Sequence, residues 1–69
     1  MATKIKKVRS LFELSSTPEL QKLAIVTAQN LGGSMTTFKE AMQVLRDNAM
    51  ESGDESSIID EVNFCRDLV

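Results

Sequence analysis

Residues 16–33 read Ser16-Thr17-Pro18-Glu19-Leu20-Gln21-Lys22-Leu23-Ala24-Ile25-Val26-Thr27-Ala28-Gln29-Asn30-Leu31-Gly32-Gly33, and this stretch decides the fold. A hydroxyl cap, a proline in the first turn and a glutamate able to reach back to orphan backbone N–H groups mark a helix start. Leu20, Leu23, Ala24, Thr27, Ala28 and Leu31 then fall on one side at about 100° per residue. Gly32-Gly33 supplies residues without Cβ strain for a left-handed stop. The spacing predicts a helix over residues 16–32. Ile25 stands almost opposite the stripe, between Lys22 and Gln29. It is a contact residue in solvent or it touches another helix of a bundle.

Downstream, Thr37-Phe38-Lys39-Glu40 is a second capping box, and Phe38, Ala41, Met42, Leu45 and Ala49 share one face before Gly53. A helix over residues 36–52 is expected. Lys39, Gln43, Arg46 and Met50 line one flank of it, while Glu40, Asp47 and Glu51 line the other. Asp54-Glu55-Ser56-Ser57 then places acids where a helix dipole favours them. Ile58, Val62, Cys65 and Val69 form the stripe of a last helix, residues 56–69, with Leu68 at its margin. Ile59 and Phe64 stand off that stripe, which marks them as bundle-centre or subunit-contact residues. Upstream, Ile5, Val8 and Phe12 recur at near-helical spacing, so residues 1–15 form a basic arm or a short helix. No strand pattern or internal repeat competes. The expected fold is all-α: one domain, a small bundle of three to four helices with a central helix-turn-helix-like hairpin.

Size and composition narrow the function. Sixty-nine residues with only three aromatics, all Phe, build a small aliphatic core, which rarely supplies more than about 3–5 kcal/mol. Cys65 is the only cysteine, so no internal disulfide can form, and its apolar setting reads as a buried, inert thiol. The absence of His removes the usual zinc ligands. Self-association into a homodimer, or docking on a larger partner, is the remaining support. The longest unbroken apolar run, Leu23-Ala24-Ile25-Val26, is far short of a membrane span, and the first residues lack the apolar stretch of a signal peptide. A cytoplasmic protein is expected.

Charge is uneven along the chain. Residues 1–33 carry five cations against two acids, or +3, and residues 34–69 carry three against eight, or −5. A basic front and an acidic back can attract one another within one fold or between two copies.

Enzyme chemistry lacks parts. Without His, acid–base work would fall to carboxylates or lysines, and no pair stands out. The Ser and Thr residues cluster where caps need them. Gly32-Gly33 has neither the spacing nor the following Lys of a phosphate loop. Residues 47–58 have some calcium-loop acids, but aligning Gly53 with the loop glycine puts Met50 where an oxygen ligand is required. No catalytic residue, metal, cofactor or small-molecule substrate is expected.

Residues 24–43, from Ala24 through the Gly pair to Gln43, resemble the helix-turn-helix family of DNA-binding proteins. Ala28 stands where two helices cross closely, Leu31-Gly32 makes the turn, Ser34 starts the second helix, and Phe38 and Ala41 anchor it. The resemblance implies that Ser34, Thr36, Lys39 and Gln43 face the major groove, with Arg46 near a phosphate. The layout as a whole, chiefly Leu31-Gly32, Phe38, Leu45 and Asp47-Asn48, is also similar to the small acidic double-stranded-DNA-binding proteins of T4-like phages. That likeness implies duplex contact despite net acidity.

The basic arm, Lys4, Lys6, Lys7 and Arg9, would lie along a phosphate backbone or simply be solvated. An ordinary helix hairpin, with Ala28 and Gly32 present for packing, accounts for the same central pattern.

Two functional readings follow. In the first, the chain is a DNA-associated regulator that grips duplex through residues 34–46 and the arm. In the second, it is a protein-interaction module, an inhibitor or adaptor. It docks on a larger nucleic-acid-processing protein through Ile25, Met50, Ile59 and Phe64, or through the acids of residues 47–61.

Overall fold

A computed structural model of the chain describes residues 6–34 and 37–68. Among these residues there is no strand. Three α-helices form the body: α1 (Pro18–Asn30), α2 (Phe38–Ser52) and α3 (Glu55–Cys65), with 3-10 turns at Leu11–Ser15 and Arg66–Leu68.

Each helix begins and ends for a local reason. Thr17 caps α1, its hydroxyl accepting from Leu20 N–H at 3.1 Å, with Pro18 in the first helical position. At the other end Gly32 takes φ +100°, Gly33 N–H donates to Ala28 O and Gly32 N–H to Gln29 O, each at 3.0 Å. These are the paired bonds of a Schellman stop. Thr37 caps α2, accepting from Glu40 N–H at 3.3 Å and donating to the Glu40 carboxylate at 2.9 Å. Gly53, at φ +73°, ends it with the same two-bond pattern back to Met50 and Ala49. Asp54 caps α3 by accepting from Ser56 N–H at 2.9 Å and from the Ser56 hydroxyl at 2.8 Å. Those bonds hold the Asp54 carboxyl below its usual range.

The core is aliphatic. Leu20, Leu23, Ala24 and Ala28 of α1 meet Ala41, Met42 and Leu45 of α2 and Ile58, Val62 and Cys65 of α3. Thr27 is fully buried among them and satisfies its hydroxyl on Leu23 O at 2.8 Å. Cys65 is buried as the sequence implies; burial pushes its thiol up, and so does the Glu61 carboxylate to which its S–H donates at 3.9 Å.

Three boundaries move. The second helix starts at Phe38 rather than at Ser34 or residue 36, because the Thr37 hydroxyl provides the first cap. The last α-helix ends at Cys65 and tightens into a 3-10 turn, and Val69 lies outside the described residues. The first segment is not an α-helix. Residues 6–10 run without helix, and Leu11–Ser15 is a 3-10 turn. Its three residues per turn set Leu11 and Leu14 inward, and Val8 is buried ahead of it in the non-helical stretch. Phe12, expected inward, is 85% exposed. Ile5 lies outside the described residues.

Candidate interaction surfaces

The N-terminal segment is tied to α3 by side chains. Asn63 accepts from Val8 N–H at 2.8 Å and donates to Val8 O at 2.9 Å, while Glu55 accepts from Leu11 N–H at 3.3 Å. Asn63 and Glu55 are eight residues apart on α3, about two helical turns, and so share a side. Within the segment, Glu13 accepts from Arg9 N–H and Ser10 N–H at 2.5 and 3.0 Å, and its carboxylate meets the Arg9 guanidinium at 3.9 Å. Lys6, Lys7 and Arg9 remain exposed. The first described residues thus rest on α3 through backbone groups held by Asn63 and Glu55, while Arg9 pairs with Glu13 of its own segment. Lys4 lies outside the described residues.

Residues grouped by sequence as a nucleic-acid footprint fall on three separate pieces of structure. Lys6, Lys7 and Arg9 belong to the arm on α3. Ser34 is exposed in the connection between helices and is not on α2, whose first cap is Thr37. Thr36 lies outside the described residues. Lys39, Gln43 and Arg46 are exposed on α2 at spacings of four and three, one flank of the helix. Gln43 donates to Asp47 Oδ1 at 2.9 Å, so its amide is already engaged. Across its length α2 carries Lys39 and Arg46 against Glu40, Asp47 and Glu51, a sum of −1. The connection from Asn30 to Phe38 spans seven residues, whereas a helix-turn-helix turn has about three or four.

The residues proposed from sequence as apolar contacts also separate. Ile25 and Ile59 are half-buried and pack against the core, so Ile25 takes the bundle-contact reading. Met50 is 81% exposed at the end of α2 and Phe64 is 72% exposed on α3, joined by Leu68 at 62% in the turn that follows. Asp60, Phe64 and Asp67 are all exposed and follow one another at spacings of four and three along the outward side of α3 and its extension. Glu61, one residue from Asp60, accepts from Asn30 of α1 at 2.9 Å. From Asp54 to Leu68 there are five acids and one Arg, a sum of −4.

Sequence reasoning missed Asn63, Glu55, Phe12 and Leu68. No sequence signal marked the clamp, because Asn63 and Glu55 meet backbone groups rather than side chains. The spacing set Phe12 in a stripe with Ile5 and Val8, and its exposure follows instead from the 3-10 turn.

No group of acids and cysteine able to hold a metal occurs among the described residues. No helix among them is long and apolar enough to cross a membrane. The chain matches no protein-family model, no curated protein and no solved structure in the three comparisons made.

Proposed function

We propose that the chain is a small non-enzymatic interaction module that docks on a larger protein through the outward face of α3, with Phe64 as its anchor. The observation that carries this reading is the exposure of Phe64 beside Leu68. In a chain with three aromatics, two of them, Phe64 and Phe12, spend most of their surface on solvent rather than core. Large exposed aromatics rimmed by charge are characteristic of contact surfaces. The test is recovery of one dominant protein by the tagged chain, at unchanged helicity, with wild type compared against Phe64→Asp and Met50→Asp. Loss with Phe64→Asp is expected; equal recovery by all three overturns the reading.

A second reading, a DNA-associated regulator gripping duplex DNA, is favoured by the exposed row Lys39, Gln43 and Arg46 and by the likeness of residues 24–43 to helix-turn-helix proteins. The acids of α2 and its long connection to α1 weigh against it, since carboxylates beside a phosphate backbone repel it. A low-salt titration with mixed-sequence duplex decides. Binding lost on Lys39→Glu or Arg46→Glu would replace the first reading with this one, and no binding at high protein concentration removes it.

A further inference from the structure

We propose that two copies of the chain exchange residues 6–15, each segment seating on the seam between α1 and α3 of the other copy to close a two-fold dimer. The seam already holds this segment within one chain. Val8, Leu11 and Leu14 are buried, and the turn that begins at Leu11 packs on α1. Asn63 and Glu55 of α3 hold the main chain at Val8 and Leu11. All these partners lie on the far side of the tether that joins the segment to α1, so none of the contacts depends on which copy supplies the segment. A second copy presents the same sequence, and the fit seen within one chain is therefore the fit between two. Exchange keeps every one of these bonds and reburies the same three apolar side chains, which makes it a low-cost route to a dimer.

The tether is short and turns at one residue. Only Ser16 and Thr17 separate the 3-10 turn from α1. Thr17 is already extended, at φ −140° and ψ 155°, and Pro18 after it disfavours a helical alternative. Ser16 alone folds the chain back, at φ −80° and ψ −27°. Its N–H and hydroxyl both donate to Glu13 O, at 3.0 and 2.6 Å, and the Gln21 amide donates to Ser15 O at 3.3 Å. Ser15 and Ser16 are exposed, so water replaces these bonds when they open. Rotating Ser16 into the extended region carries the segment away from its own body, and its ten residues then reach up to about 33 Å. A short hinge of this kind favours exchange over closure within one chain.

The experiment uses the full chain. Isotopically labelled and unlabelled protein are unfolded together and refolded at high concentration, and the mass in solution is followed by light scattering. A dimer is expected, with isotope-filtered cross-peaks between the Asn63 side-chain amide of one copy and Val8 of the other. Two hinge variants should move the equilibrium in opposite directions. Ser16→Pro removes both Ser16 bonds to Glu13 and pushes Ser15 toward extended backbone, so the dimer dissociation constant should fall about tenfold. A flexible Gly-Ser insert between Ser15 and Ser16 lets each segment return to its own body and should raise the constant about tenfold. Both changes lie in the exposed tether, and unchanged helicity verifies that the body of each variant folds. A parent and a Ser16→Pro protein that both stay monomeric overturn the proposal. A dimer without Val8–Asn63 cross-peaks between copies, or one indifferent to tether length, overturns it as well and places the contact elsewhere on the surface.

Discussion

The side-chain amide of Asn63 meets the backbone of Val8 twice, accepting at 2.8 Å and donating at 2.9 Å across 55 positions of sequence. The pair is half-buried, so both bonds work in partial shelter from water. Asn63→Ala removes both and leaves the Val8 N–H and carbonyl to find water or stay unpaired, a cost of about 1–3 kcal/mol. For a domain of this size that lowers the melting temperature by roughly 4–8 °C per kcal/mol. Thermal unfolding followed by circular dichroism measures it, and a variant that melts with the parent would show that the clamp contributes nothing.

Leu14 is fully buried and Phe12, two residues earlier, is almost fully exposed. Truncating Leu14 to Ala should cost about 2–5 kcal/mol, a large part of what so small a core can supply. Phe12→Ala should change stability by less than about 0.5 kcal/mol. The comparison tests the 3-10 register directly. If the segment were α-helical with the stripe Ile5, Val8 and Phe12 turned inward, the two costs would be reversed.

At Gly32 and Gly53 the backbone is left-handed, and a Cβ added there would meet nothing within 4 Å. The penalty for Ala is therefore conformational, about 1–2 kcal/mol, reduced by the loss of freedom in the unfolded chain. Denaturant unfolding of Gly32→Ala and Gly53→Ala should show midpoints shifted down with unchanged slope. A stabilised Gly53→Ala protein would contradict the left-handed stop of α2.

Cys65 has its thiol raised above the ordinary value chiefly by burial. A group whose folded pKa exceeds its unfolded one binds its proton more tightly when folded. Its contribution is complete below the unfolded value, near 9.0, and is lost as pH climbs from there through the folded value. Unfolding free energy should therefore fall in that alkaline window, and the fall should shrink in Cys65→Ala after its own cavity cost is subtracted. A thiol reagent at neutral pH should label Cys65 only at the rate of global opening. Immediate labelling of the native protein would place the thiol at the surface.

Each helix was legible because its signals are local. Thr17-Pro18, Thr37 with Glu40, Asp54, Gly32 and Gly53 act within a turn of themselves, and the bounds they imply fall within a few residues of those observed. The inward faces of α1 and α2 follow from the same periodicity. Of the two readings open for the first segment, arm or short helix, described residues 6–15 take the arm, ending in a 3-10 turn. Leu11 and Leu14 face inward three positions apart, which a stripe drawn through Phe12 does not contain. Asn63 was invisible for a different reason. Its partner is a main-chain group 55 positions away, and any residue at position 8 other than proline offers the same N–H and carbonyl. Lys39, Gln43 and Arg46 were legible as an exposed flank, since amphipathic spacing sets exposure. What touches that flank depends on a partner surface that the spacing of one chain does not encode.

The seven-residue connection between Asn30 and Phe38 carries one further consequence. Both neighbouring helices are closed by their own caps, and Gly33 and Ser34 donate no side chain to the core. Doubling the length of such a tether costs only about 0.6 kcal/mol in closure entropy. A short epitope or fluorophore-bearing peptide spliced between Gly33 and Ser34 should therefore leave the bundle intact, giving a tagging point outside the core.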